Sequence, residues 1–333
     1  MNAGIASLSL DLDNQWAYMK THGDPGWESY PSYLDLVVPR VLSFLKERNL
    51  TVTVFIVGQD AALGKNREAL RAIATAGHEI GNHSFRHEPW FHRYPEAEIE
   101  ADIAAAEEHI GRVTGKRPSG FRGPGFALSH AILQVLARRG YRYDSTTLPT
   151  FLGPVARAYY FMSTKLGKEE RIQRKALFGT FRDGLRPIRP YRWRLSPGSL
   201  IEIPVTTMPI LKVPIHVSYL LYLSVISPAL ALRYFKMALE LCRLTGTRPS
   251  LLLHPLDFLG GEEVPELSFF PAMGLSVDRK MELVQEVIRL FSSRYTVGTL
   301  QQHASEISRT ARLPLMESRF SEQNSGGKYF FCG

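Results

Sequence analysis

AGHEIGNHSFRH, residues Ala76–His87, is followed by DIAAAEEHIGRVTGKRPSGFRGPG, Asp102–Gly125, and by GYRYDS, Gly140–Ser145. Within this stretch His78–Gly81 predicts a short strand that runs into histidines. Glu96–Thr114 has the apolar spacing of an amphipathic helix stopped at Gly115. GFRGPGF, Gly120–Phe126, is a stiff Gly/Pro turn carrying Arg122, and Tyr141–Asp144 is a further short strand. Strand, helix, turn and strand in this order make one unit of a mainly parallel sheet wrapped by helices.

The same alternation extends in both directions. Ile5–Leu10 and the β-branched run Thr51–Val57 predict strands, and Leu36–Arg48, Asn66–Ala76 and Ser129–Arg139 predict helices. Leu200–Ile203, Ser250–His254 and Tyr295–Leu300 predict later strands, with a helix over Asp278–Ser292. The fold class is therefore α/β, and a βα barrel fits the repeated unit. In such a barrel functional side chains collect where strands end, which is where Asp11 and Asp13, His83 and His87, and His254 fall.

The chain has 333 residues, 44% hydrophobic and 22% charged, a globular balance that argues against disorder, collagen or coiled coil. Only Cys242 and Cys332 are cysteines, so a disulfide framework is not expected and a reducing compartment is favoured. MNAGIASLSLDLD has no basic leader before its acids, which predicts an intracellular, cytoplasmic chain starting near Met1. The net charge of +8 is concentrated in Phe151–Ser199, where eleven Lys/Arg face three acids. Such a block implies an anionic partner, either phosphate-bearing substrate, lipid headgroups or nucleic acid. Residues 1–312 read as one domain with this basic insertion at 151–199, and 313–333 read as a flexible tail. Within 214–244, Val217–Leu232 carries no charge and predicts either a buried helical hairpin broken at Pro228 or a helix lying in a membrane interface.

Four patches carry chemistry. Asp11 and Asp13, two apart at a strand end, share a face and place both carboxylates in one site. His83 and His87, four apart, would share a face across one helical turn and bind one metal ion. Arg122 can orient a carboxylate from its rigid turn, whose glycines leave backbone N–H groups open to an oxyanion. His254 ends an apolar strand, LLLHP. Each patch alone also reads as ordinary structure, such as a cap, a surface pair, a plain loop or a hydrogen-bonded core histidine.

Taken in order, the patches resemble the polysaccharide deacetylase family, the NodB homology domain of carbohydrate esterase family 4, over roughly Ile5–Leu300. The resemblance implies a distorted (β/α)7-type barrel and a hydrolase of amide bonds. It implies Asp13, His83 and His87 as ligands of one divalent ion, zinc foremost, with cobalt, manganese or nickel also suited. It further implies Asp11 as catalytic base tethered by Arg122, Asp144 as a supporting acid and His254 as general acid. Gly125 and Phe126 fall at the oxyanion turn, Leu252 at the acyl pocket, and Ser84 within the histidine motif, where it fixes loop geometry. Two departures stand out: where the family usually has Tyr after Pro, Gly125 and then Phe126 follow Pro124, and Leu148 stands where relatives carry Trp.

The basic block and the apolar segment would suit a substrate presented at a membrane. The DxD first motif, Asp11–Asp13, and IEIPVT, Ile201–Thr206, are similar to members that act on lipid-linked amino sugars, such as the aminoarabinose-phospholipid deformylase. The expected substrate is thus an N-acylated amino sugar, lipid-linked or phosphate-bearing, met at the cytoplasmic face of a membrane. The alternatives are a soluble oligosaccharide deacetylase, a non-sugar amidase of the same family, and a sugar-binding pseudoenzyme. Nucleic-acid binding through Tyr159, Tyr160, Phe161 and Trp193 ranks last, and oligomeric state is left open.

Overall fold

In β1 (Ile5–Leu12), Leu8, Leu10 and Leu12 join the main apolar core, while Ser9 and Asp11 on the other face both meet Arg122. Side chains alternate across a strand, so this one segment supplies both the packing against the helices and a polar barrel interior. The computed structural model describes residues 4–153, 181–196, 198–310 and 312–318. Helices α1 (Gln15–His22), α2 (Leu34–Glu47), α3 (Gly58–Ala62), α4 (Arg67–Thr75), α5 (Glu96–Thr114) and α6 (His130–Arg138) are interleaved with β2 (Thr53–Ile56), β3 (Glu79–Asn82), β4 (Gly120–Phe121) and β5 (Tyr143–Asp144). Then come β6 (Tyr191–Arg194), β7 (Ser199–Glu202), α7 (Val217–Ile226), α8 (Pro228–Leu244), β8 (Ser250–Leu253), α9 (Val277–Ser292), β9 (Thr296–Gly298), α10 (Leu300–Thr310) and β10 (Leu315–Glu317).

The sheet runs β10-β6-β7-β5-β4-β3-β2-β1-β8, with β9 also on β1, and every pairing is parallel except β6 with β7. Just beyond β7, Thr206 N donates to Ser250 O at 3.0 Å and Ser250 N donates to Thr206 Oγ1 at 2.8 Å. These bonds close β1, β2, β3, β4, β5, β7 and β8 into a distorted seven-membered barrel, in agreement with the expected fold.

Local chemistry accounts for the element ends. Ser129 Oγ caps α6 by accepting from Ile132 N, and Ser227 caps α8 by accepting from Leu230 N with Pro228 at the first helical position. Gly115 ends α5 with φ +69°. The uncharged segment becomes α7 and the start of α8, broken at Pro228 as a buried hairpin requires. Val217, Leu220 and Leu221 are in the core, while Val225 and Ile226 at the far end of α7 are exposed. No helix among the described residues is long and apolar enough to cross a membrane.

Three expectations need correction. His83–His87 is not helical: Ser84 and His87 have φ of +63° and +50°, so the pair sits on a tight loop after β3. The expected insertion does not continue to 199, because Tyr191–Arg194 is β6 and hydrogen-bonds with β7, its Tyr191 and Trp193 filling a second core. Leu315–Glu317, expected within the tail, instead pairs with β6, and Ser318 Oγ donates to Arg194 O at 2.8 Å. Residues 154–180 and 319–333, with most of the basic block, lie outside the described residues. Of the aromatics offered for base stacking, Tyr159, Tyr160 and Phe161 lie there too. Trp193 is buried with its indole N–H on Glu202 Oε2 at 2.9 Å, so it has no free face to stack.

Candidate active site

The ends of β1, β3, β4 and β8 deliver their polar residues to one side of the barrel. Asp13 lies just past β1 on the same face as Asp11, and its Oδ1 is 2.9 Å from His87 Nε2 and 3.2 Å from His83 Nε2. These three ligand atoms lie within 4.8 Å of one another and all three residues are buried. His83 Nδ1 donates to the Arg122 carbonyl oxygen at 2.7 Å, which leaves Nε2 as the ring nitrogen that faces Asp13.

The loop holding the histidines is built from backbone bonds. Asp102 on α5 accepts from Phe85 N at 2.6 Å and from Arg86 N at 3.2 Å, and Asn82 Oδ1 accepts from Ser84 N at 2.8 Å. Ser84 Oγ accepts from His87 N at 3.1 Å, which is the loop-fixing part expected for it. Burial pushes the Asp102 carboxyl up to about 6, against the pull of those two N–H groups. Burial also pushes Asp13 up, but His87 and His83 beside it hold its carboxyl well below the usual range. Burial lowers His83, and Asp11 and Asp13 more than reverse this, so its ring is raised. Two imidazole nitrogens and one carboxylate converging on one point, with one imidazole already oriented by a carbonyl, fit a divalent transition metal.

Arg122 is fully buried in the barrel. It donates to Asp11 Oδ1 at 2.6 Å, Ser9 Oγ at 2.9 Å, Ser145 O at 2.9 Å and Ser145 Oγ at 2.8 Å, and lies 4.4 Å over the Phe55 ring. The tether expected between Arg122 and Asp11 is thus a bonded ion pair. Gly125, in the turn after Arg122, has φ +57°, and a Cβ there would lie 2.9 Å from Pro89 Cβ. Gly125 is exposed and Phe126, also left-handed at φ +62°, is half-buried.

Asp144 and Leu252 stand differently from what was expected. Asp144 is fully buried on β5, where burial and then Glu202 beside it push its carboxyl well above the usual range. It therefore touches no open part of the site. Its reach is indirect: Thr146 Oγ1 donates to Asp144 and accepts from Gly123 N at 2.9 Å, fixing the turn that carries Arg122. Leu252 is fully buried opposite Ser9 and is not part of the cavity wall. That wall is formed by Leu221 and Tyr222 of α7, Leu256, Phe270, Ala272 and Met273, around a space of about 150 Å³ that opens on Asp13 and His254.

His254 ends β8 with Nδ1 3.0 Å from Ser218 Oγ, and Ser218 Oγ donates to Asp257 Oδ1 at 2.7 Å. Sequence reasoning missed both partners. Ser218 is a lone hydroxyl in an uncharged helix, and Asp257 stands three residues after His254 across Pro255, the spacing of a cap. It also missed the network behind Asp13, where Asn14 Nδ2, Trp16 Nε1 and Asn66 Nδ2 all donate to Asp60 Oδ1 at 2.7, 3.0 and 3.0 Å. Burial pushes Asp60 up to about 7.

Parts of the chain are similar to known proteins. The family model for polysaccharide deacetylase matches residues 24–143. A peptidoglycan deacetylase of Helicobacter pylori is 30% identical over 151 residues, 43% of this chain and 50% of that protein. The Bacillus subtilis peptidoglycan-N-acetylmuramic acid deacetylase PdaA is 30% identical over 105 residues, 31% of this chain and 39% of that protein. The chain spans half or less of the length of these relatives. In fold it is similar to a protein described as a polysaccharide deacetylase from Mycobacterium smegmatis, with TM-score 0.62, 21% identity and coverage of 97% and 96% of the two chains. It is also similar to an allantoinase, with TM-score 0.57, 18% identity and coverage of 93% and 91%. The family-model match, the curated relatives and the shared fold make the chain similar to polysaccharide deacetylases over part of its length.

Proposed function

We propose that the protein is a metal-dependent N-deacylase of an amino sugar. The observation that carries the reading is the convergence of Asp13, His83 and His87 beside the Asp11–Arg122 pair, with His254 facing the same cavity. A divalent ion held by Asp13, His83 and His87, zinc by preference, would polarise the amide carbonyl and acidify water there. Asp11, held in place by Arg122, takes the proton as water adds to the carbonyl carbon. The backbone N–H at Gly125 faces the oxygen that gains charge. His254 gives a proton to the departing amine, without which an amide expels a poor leaving group.

The finer reading is a lipid-linked or phosphate-bearing sugar met at the cytoplasmic face of a membrane. It is supported by the exposed apolar side chains Val225 and Ile226 at the end of the helix that walls the cavity, Leu230 just beyond it, and Ile210 and Leu211 on the segment before it.

The test is metal content by elemental analysis of wild type and His83→Ala, paired with acetate and formate release from soluble and lipid-linked N-acyl amino sugars. About one ion per chain, lost in the variant, with release only from lipid-linked substrates, is the expected result. Release from soluble oligosaccharides alone would replace the lipid-linked reading with a soluble deacetylase. No bound ion after reconstitution, and no release from any substrate, would overturn the function itself.

A further inference from the structure

Resting on the deacylase reading, we propose that Ser218 and Asp257 are positioning residues that hold His254 with Nδ1–H anchored and Nε2 free for the leaving amine. The helix inserted between β7 and β8 thereby becomes part of the catalytic machinery.

The assignment follows from counting protons. Asp257 accepts on both oxygens, from Ser218 Oγ on Oδ1 at 2.7 Å and from His254 backbone N on Oδ2 at 2.8 Å, so its carboxylate has no proton to donate. The single hydroxyl proton of Ser218 is spent on Asp257. Facing His254 Nδ1 at 3.0 Å, Ser218 Oγ is therefore the acceptor, and Nδ1 keeps its hydrogen. Buried Lys280 on α9 pins the turn, donating to Leu256 O at 2.9 Å and Leu259 O at 2.6 Å. Burial raises the Asp257 carboxyl, and His254, the hydrogen bonds from His254 N and Ser218, and the Lys280 charge pull against that rise. The other groups facing this cavity are Asp13, Tyr18, Tyr222 and His216, whose ring centroid is 6.0 Å from that of His254. Burial pushes His216 down to about 3, so it stands neutral beside His254 and adds no charge.

The step this serves is the breakdown of the tetrahedral adduct. The C–N bond breaks, its electron pair stays on nitrogen, and the proton on His254 Nε2 passes to that nitrogen. Nδ1–H stays on Ser218, Ser218 keeps its proton toward Asp257, and the ring is left neutral.

Ser218→Ala is expected to lower kcat about 10-fold to 100-fold with KM within about three-fold, and Ser218→Thr to recover most of it. In Asp257→Asn the new amide donates to Ser218, whose hydroxyl must then donate to Nδ1. This disfavours the imidazolium and moves the alkaline limb of kcat to lower pH by about half a unit or more. Nitrogen-15 NMR of the neutral His254 ring should read the Nδ1–H tautomer in wild type and the Nε2–H tautomer in Asp257→Asn. An Nε2–H wild-type ring, a kcat unmoved by Ser218→Ala, or an alkaline limb unmoved in Asp257→Asn would overturn the proposal. If wild type releases no acyl group from any substrate, the deacylase reading fails on its own, and the tautomer still decides whether the pair orients His254.

Discussion

Replacing Arg122 with methionine separates the part of the site that holds charge from the part that would hold metal. Methionine keeps an unbranched apolar side chain in the barrel but removes the guanidinium over Phe55 and its four hydrogen bonds, and leaves Asp11, itself only 4% exposed, as a buried carboxylate without its cation. Breaking a buried pair from one side costs about 3–5 kcal/mol, more than the loss of the neutral bonds to Ser9 and Ser145 alone. With a urea slope of about 3 kcal/mol per M, the unfolding midpoint should fall by about 1–2 M. In an Asp11→Asn background the same change should cost at least about 1 kcal/mol less, because a neutral amide tolerates burial without a cation. Metal affinity, read by calorimetry with zinc, should stay within about three-fold, since His83 is anchored by the Arg122 carbonyl and not by its guanidinium. A midpoint shift below about 0.3 M, or equal costs in the two backgrounds, would refute the view that Arg122 is there to compensate Asp11.

Other outcomes follow from the same geometry. Gly125→Ala, forced to keep φ +57° with its Cβ against Pro89, should cost about 1–2 kcal/mol in urea unfolding and slow deacylation if the Gly125 turn binds the oxyanion. Lys280→Met leaves the Leu256 and Leu259 carbonyls unsatisfied in a buried place, and should lower stability by about 2–4 kcal/mol in the same assay. Acid should destabilise the chain through its buried neutral histidines. Burial depresses His92, His216 and His303 to about 4, 3 and 4, so the unfolded chain binds more protons below the ordinary histidine pKa of about 6.5. Their contribution is complete above that pH and falls steadily toward pH 4. Thermal unfolding between pH 7 and 5 should show the loss, and His303→Asn, far from the cavity beside Ser7, should flatten part of it.

Much of the barrel could be read from patterns that local physics controls. Leu8, Leu10 and Leu12 against Ser7, Ser9 and Asp11 declare a two-faced strand, and Glu96–Thr114 declares a helix whose length and stop at Gly115 are reproduced in space. The short strands β6 and β10 were not legible, because a three- or four-residue strand is decided by its partner: Leu315–Glu317 becomes β-structure only because Tyr191–Arg194 lies open beside it. The histidine loop was misread as a helical turn for a related reason. Spacing four apart suits a helix, but Asp102, nineteen residues beyond His83 and on another element, pulls Phe85 N and Arg86 N out of helical bonding.

The sequence by itself determined which residue types stand at strand ends, and so the candidate chemistry of two histidines, two aspartates, an arginine and a final histidine. Residue identity and short-range spacing are enough for that. Only the tertiary structure decided what each group meets. It buried Asp144 against Glu202, removed Leu252 from the cavity wall, and brought Ser218 across from α7 to His254 and Asp257. Those contacts join residues tens of positions apart, and their strength comes from burial, where an unmet hydrogen bond or charge is costly and each polar group must find a partner wherever the fold provides one.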